Sequence, residues 1–254
     1  MTHRFTDRTT LVTGAGSGIG RAVALAFAAE GAHVVVTGRR PEPLQETVAL
    51  IERAGGKALA VTADISRAAD IEAAVDAAVD HFGSLDVAVN NAGIFRSGQP
   101  LADVSDNDWH SQFDTNVTGV FHALRAEIRR MRTQPDGGAI VNISSTLGAH
   151  KRHPGTTAYA ATKAAVSVLT RGAALDHISE GIRINAVSPG ATGTAMSLQP
   201  GETEAGRAER MRHEVPVGRV STVEEVAAAV LYLASDDAAS TVGTDLVLDG
   251  GQTA

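Results

Sequence analysis

The sequence predicts an α/β fold, a doubly wound parallel sheet of about seven strands with helices on both faces. Three observations predict it. Short β-branched runs alternate with longer alanine-rich segments of helical period along the whole chain. The strand runs are almost continuously apolar, as in Val34-Val35-Val36, which is how strands covered on both faces read. A glycine-rich turn follows the first of them directly. A chain of 254 residues with 43% hydrophobic content can bury one substantial core, so a single Rossmann-type domain is expected over residues 1–254.

The strands are placed at Thr9–Thr13, His33–Thr37, Ala58–Thr62, Asp86–Asn90, Ala139–Ser144, Arg183–Ser188 and Asp245–Leu248, with helices between them. In sheets of this kind ligands bind beyond the carboxyl ends of the strands, so chemistry is sought just after each one. After the first strand comes Thr13-Gly14-Ala15-Gly16-Ser17-Gly18-Ile19-Gly20, then a helical run from Arg21 to Glu30. Glycines there permit a tight turn and let a pyrophosphate approach the N–H groups of a helix start, although the strict G-x-G-x-x-G spacing fails. The second strand ends in Thr37-Gly38-Arg39-Arg40. A carboxylate at that turn would bind the 2′-hydroxyl of NAD, whereas two guanidiniums, with the Ser17 hydroxyl nearby, favour the 2′-phosphate of NADP; NAD(H) is the alternative, and two solvated arginines are the plainer reading.

Further on, Tyr159 and Lys163 stand four residues apart in an alanine-rich helix, on one face. An ammonium beside a phenol favours the phenolate and draws it towards the working range of a general acid or base. The one long stretch without strand character, residues 191–216, carries Gly193, Pro200, Gly201 and Gly206 among charges. It reads as a mobile lid over the substrate or as a peripheral amphipathic helix pair. Its low hydrophobicity leans towards polar substrates.

Composition excludes several classes. The formal charge is −7 with no long basic run, which argues against nucleic acid as a partner. There are no cysteines, and of the nine histidines only His150 and His153 are close, so no metal site is expected. The N-terminal stretch lacks the apolar segment of a signal peptide and no run is long enough to cross a bilayer, so a cytoplasmic protein without a membrane partner is expected.

Taken in order, these motifs resemble the short-chain dehydrogenase/reductase family in its single-domain form, from Thr9 to Gly251. The glycine turn is similar to that family's T-G-x-x-x-G-x-G, which implies cofactor contacts at Gly14, Ser17, Gly18, Ile19 and Gly20, with Arg39 and Arg40 at the second strand. The resemblance adds Asp64 and Ile65 beside adenine, Asn91, Ala92 and Gly93 in Asn90-Asn91-Ala92-Gly93, and Pro189, Gly190, Thr192 and Thr194 near the nicotinamide carboxamide. Ala191-Thr192-Gly193-Thr194 departs from the usual aliphatic-acid pattern of that last segment. Asn116, Ser145, Tyr159 and Lys163 match the catalytic set, and Tyr159 and Lys163 also touch the cofactor.

The resemblance implies hydride transfer between a nicotinamide and a carbonyl or secondary alcohol, with Tyr159 as general acid, Ser145 fixing the reacting oxygen, and Lys163 lowering the tyrosine pKa and binding the ribose. Asn116 would hold a water linking Lys163 to solvent. NADPH is favoured; an NAD-dependent alcohol or polyol dehydrogenase and a catalytically silent nucleotide-binding scaffold are the alternatives. The basic run His150-Lys151-Arg152-His153 could attract an anionic substrate or be a solvated loop. Ala161, Ala165 and Gly172 on the helix from Ala158 to Ile178 permit close helix contact, and the family's default is a homotetramer, with a dimer as alternative. Substrate identity and the direction of the reaction have no readable code here.

Overall fold

The computed structural model describes residues 3–254. Seven strands form one parallel sheet: β1 (Thr9–Thr13), β2 (His33–Gly38), β3 (Lys57–Thr62), β4 (Val87–Asn90), β5 (Gly138–Ile143), β6 (Ile182–Pro189) and β7 (Asp245–Leu248). Every predicted strand is present, with ends shifted by no more than a residue or so. The order is β3-β2-β1-β4-β5-β6-β7, which makes it doubly wound, with the reversal between β1 and β4.

Continuous apolar strands split cleanly between two faces. Val12, Val34, Val36, Val89 and Val141 join one core cluster, and Leu11, Val35, Ala88 and Ile140 join the other. The first cluster packs α1 (Gly18–Ala29), α2 (Pro41–Arg53) and α8 (Val223–Ala234) through Val23, Phe27, Leu44, Val226 and Val230. The second packs α3 (Ala68–Phe82), α5 (Gly119–Met131) and α6 (Thr157–His177) through Ile71, Val75, Leu124 and Val166. The edge strands β3 and β7 are only half-buried.

Two smaller helices complete the described residues' regular structure near the cleft. One is α4 (Asp106–Phe113), capped by Ser105 and running into a π-turn at Asp114–Thr118. The other is α7 (Glu204–Glu214), which makes residues 191–216 a single short helix with a 3₁₀ turn at Ala195–Ser197 before it. No described helix is long and apolar enough to cross a membrane.

Candidate active site

At the carboxyl edge of the sheet a cleft of about 1120 Å³ runs from the β2 turn to the loop after β5. Its floor is the glycine turn. Gly14 has φ +67°, and a Cβ there would lie 2.9 Å from Asn91 Nδ2; one on Gly20 would strike the Gly14 carbonyl. Gly18, with φ +53°, faces Thr194, so the start of α1 is open to a ligand's approach between Ser17, Gly18 and Ile19. Thr13 and Asn91 hold this turn in place. Thr13 Oγ1 accepts from the N–H groups of Asn91 and Ala92, each at 3.0 Å, and Asn91 Nδ2 donates to Thr13 O at 2.9 Å. The Asn91 amide nitrogen therefore braces the turn, and Asn91 also lines the cleft.

Arg39 and Arg40 are exposed on the cleft wall and neither has a carboxylate partner among the described residues. Asp64 lines the same cleft near Arg39. Burial opposes its ionisation, but hydrogen bonds from Ser66 Oγ (2.7 Å) and Ser66 N (3.0 Å), with Arg39 and Arg67 nearby, hold its carboxyl below the ordinary range. Ile65 is buried against Gly119. This cradle fits a dinucleotide: close backbone approach at one end, unpaired guanidiniums at the other.

Ser145, Tyr159 and Lys163 meet at the opposite end. Ser145 follows β5, and its Oγ accepts from Leu147 N at 3.1 Å. Tyr159 and Lys163 are buried on one face of α6, and Lys163 Nζ donates to Ile143 O at 2.8 Å. Phe95 packs edge-on against Tyr159 with ring centroids 4.7 Å apart, a contact that no sequence motif announced.

The electrostatics differ from the expectation of a lowered phenol. Burial pushes Tyr159 up to about 12, with the Ser145 hydroxyl pulling it partly back, and burial pushes Lys163 down to about 8. Lys163 Nζ lies 5.9 Å from the Tyr159 ring centroid. In the free chain desolvation outweighs the attraction between the two groups.

Asn116 sits in the π-turn, fully buried, and its side chain makes three hydrogen bonds. Its Oδ1 accepts from Ile94 N at 2.9 Å, and its Nδ2 donates to Ile94 O at 2.9 Å and Thr162 Oγ1 at 3.1 Å. It ties the loop after β4 to α6, and at Gly93 a Cβ would lie 3.2 Å from Asn116 Oδ1 and 3.6 Å from Lys163 Nζ. π-turns of this kind recur at functional sites because they interrupt the regular helix ladder.

On the far wall, Gly190 N donates to Leu248 O at 2.8 Å, and Thr192 pairs with Ser221, so Pro189, Gly190, Thr192 and Thr194 line the cleft on a braced segment. Charges within residues 191–216 pair among themselves: Arg210 binds Glu202 at 2.8 Å and Glu214 at 3.2 Å. This segment lines the cleft with Met196, Leu198 and Met211 and also with Ser197, Gln199, Arg210 and Glu214.

A model of the family described as Enoyl-(Acyl carrier protein) reductase matches residues 14–253. A 3beta-hydroxysteroid dehydrogenase of Mediterraneibacter gnavus is 38% identical, covering 98% of this chain and 96% of that protein. The chain belongs to the short-chain dehydrogenase/reductase family. A cyclohexanol dehydrogenase of an Acinetobacter species is also 38% identical, over 100% of this chain and 98% of its own length. A short chain dehydrogenase of Burkholderia cenocepacia, solved in complex with NADP, is 36% identical with a TM-score of 0.90, covering 99% of this chain and 100% of that one. As a short-chain dehydrogenase/reductase, this protein is an NAD(P)-dependent oxidoreductase.

Sequence reading missed one buried network in this dehydrogenase. Asp245, at the start of β7, accepts from Ser167 Oγ at 2.6 Å and Ser188 Oγ at 2.5 Å and faces His150 Nε2 at 3.1 Å. A carboxylate opening the last strand, opposite two serines on buried elements, was the available signal.

Proposed function

We propose that this protein interconverts a cyclic ketone and its secondary alcohol with NADPH as the favoured cofactor, using Tyr159 as general acid and base. The carrying observation is that one cleft joins unpaired Arg39 and Arg40 at one end to Ser145, Tyr159 and Lys163 at the other. The named activities of the steroid and cyclohexanol relatives, and the apolar lining of the substrate end, support a cyclic substrate.

In this reading Gly14, Ser17, Gly18, Ile19 and Gly20 take the pyrophosphate, and Arg39 and Arg40 the 2′-phosphate. Asp64 and Ile65 flank adenine, and the segment from Pro189 to Thr194 holds the carboxamide. Bound reduced nicotinamide supplies the hydride. As charge grows on the carbonyl oxygen, Tyr159 donates its proton to it and Ser145 Oγ fixes its position. A phenol kept protonated by burial is suited to that donation. Lys163 supplies the nearby positive charge that eases proton loss from Tyr159, and Asn116 orders the proton path behind it. In the oxidative direction the same groups act in reverse. The lid opens as a unit, because its ion pairs are internal and its ends are held at Thr192–Ser221 and at Val217 N to Gly250 O (3.1 Å).

A homotetramer is part of the proposal. On α6 the small Ala161, Ala165 and Gly172 share a stripe with Val168 and Leu175, which are 68% and 78% exposed. Fluorescence titration with NADPH and NADH, then a screen of cyclic ketones, tests the whole reading. Tyr159→Phe should lower kcat by roughly a hundredfold or more while nicotinamide affinity stays within about threefold. Undiminished turnover in that variant refutes the tyrosine's role.

A further inference from the structure

The basic run after Ser145 enters the fold in three different ways. His150 turns inward to Asp245, whose side chain is 2% exposed. Arg152 folds back onto the Gly148 carbonyl and faces solvent. Only Lys151 and His153 remain on the cleft wall.

Lys151 is firmly placed. Its N–H donates to Thr146 O at 2.7 Å, its carbonyl accepts from Gly148 N at 3.2 Å, and it pairs with Leu147, two residues past Ser145. The neighbouring His150 anchors that turn to β7. His153 Nδ1 donates to Pro154 O at 2.8 Å, which leaves Nε2 without a protein partner. Neither residue has a carboxylate within ion-pair distance among the described residues, whereas Arg210, the other cation at this end, is taken by Glu202 and Glu214. An unpaired ammonium on a cleft wall, in a chain of formal charge −7, is out of keeping with the surface around it. The same cleft is lined by the apolar Phe95, Leu147, Met196 and Leu198, alongside Thr156, Ser197 and Gln199.

We propose that Lys151 forms an anion-binding end of the substrate site, and that the substrate is a cyclic ketone or secondary alcohol bearing a carboxylate. This rests on the reading of the cleft as a cyclic-ketone reductase. The ring lies against the apolar side chains with its carbonyl at Ser145 and Tyr159, and the carboxylate reaches Lys151. Because the anion sits away from the reacting carbon, its contribution falls mainly on KM.

The test compares 4-oxocyclohexanecarboxylate and 3-(4-oxocyclohexyl)propionate with their methyl esters, using the full-length protein and NADPH. At least one acid should exceed its ester in kcat/KM by about tenfold, the worth of one charge-assisted hydrogen bond. Lys151→Gln should bring that ratio close to one, and Lys151→Arg should keep it. Equal use of acids and esters, or an unaltered ratio in Lys151→Gln, overturns the proposal. A parallel binding measurement, quenching of bound NADPH fluorescence by cyclohexanecarboxylate and 3-cyclohexylpropionate, needs no turnover. Lys151-dependent binding without reduction of any ketone would sink the reductase reading and leave the anion site standing. Absence of both overturns both.

Discussion

Glu127 offers the sharpest physical test of the fold around the cofactor turn. It lies on α5, fully buried, with Oε2 accepting from Asn90 Nδ2 at 2.9 Å. Asn90 in turn donates to Asn142 Oδ1 at 3.0 Å, and Asn142 Nδ2 donates to Thr170 Oγ1 at 2.9 Å. Neither Glu127 Oε1 nor Asn90 Oδ1 has a protein partner. Burial, opposed only by the Asn90 hydrogen bond, pushes the Glu127 carboxyl up from 4.5 to about 7. The native state therefore holds a proton that the unfolded chain has released. Stability from this group is fully present below pH 4.5, declines as pH rises towards 7, and is lost above it. A shift of this size corresponds to about 3 kcal/mol at most, at 1.36 kcal/mol per unit.

Glu127→Gln keeps the shape, keeps an acceptor for Asn90 Nδ2, and cannot ionise. The variant and the natural protein should therefore melt alike near pH 4.5 and separate as pH rises, the variant being the more stable by about 2–3 kcal/mol at pH 8. For a chain of this size that is a melting difference of roughly 4–12 °C. Thermal unfolding followed by circular dichroism from pH 4.5 to 8.5, at one fixed protein concentration, reads it directly. A difference that stays constant with pH, or a variant that loses ground as pH rises, would show that this carboxyl is charged and satisfied in the native state.

Other consequences follow from the same geometry. Arg39→Ser combined with Arg40→Ser should weaken NADPH binding by about 10–100-fold and leave NADH within about threefold, read by fluorescence titration. Lys163→Met should abolish turnover yet stabilise the free protein at pH 7 by about 2 kcal/mol. Burial depresses the Lys163 pKa to about 8, so the charged form is penalised below that pH and the gain should fade towards pH 10.5. Leu175→Glu should lower the assembly state seen by light scattering without lowering the cofactor affinity, since the residue is 78% exposed on the outer stripe of α6.

How much was legible in the chain depended on whether a feature is local. Strands buried on both faces announce themselves, since Val34, Val35 and Val36 serve opposite cores in turn and none can be polar. The glycine turn was legible for a similar reason: at Gly14 and Gly20 any side chain collides with the backbone or with Asn91. The site residues carried by spacing, Tyr159 and Lys163, came together on α6 as their interval required. What spacing could not convey is desolvation, which depends on everything packed around a group. Two neighbours expected to lower a phenol pKa instead show the phenol raised and the amine lowered, because each loses water before any cofactor charge is present. The basic run was opaque for the complementary reason. Four adjacent basic residues look alike in sequence, but a buried aspartate 95 positions further on claims His150, a carbonyl claims Arg152, and only tertiary structure leaves Lys151 and His153 facing the cleft.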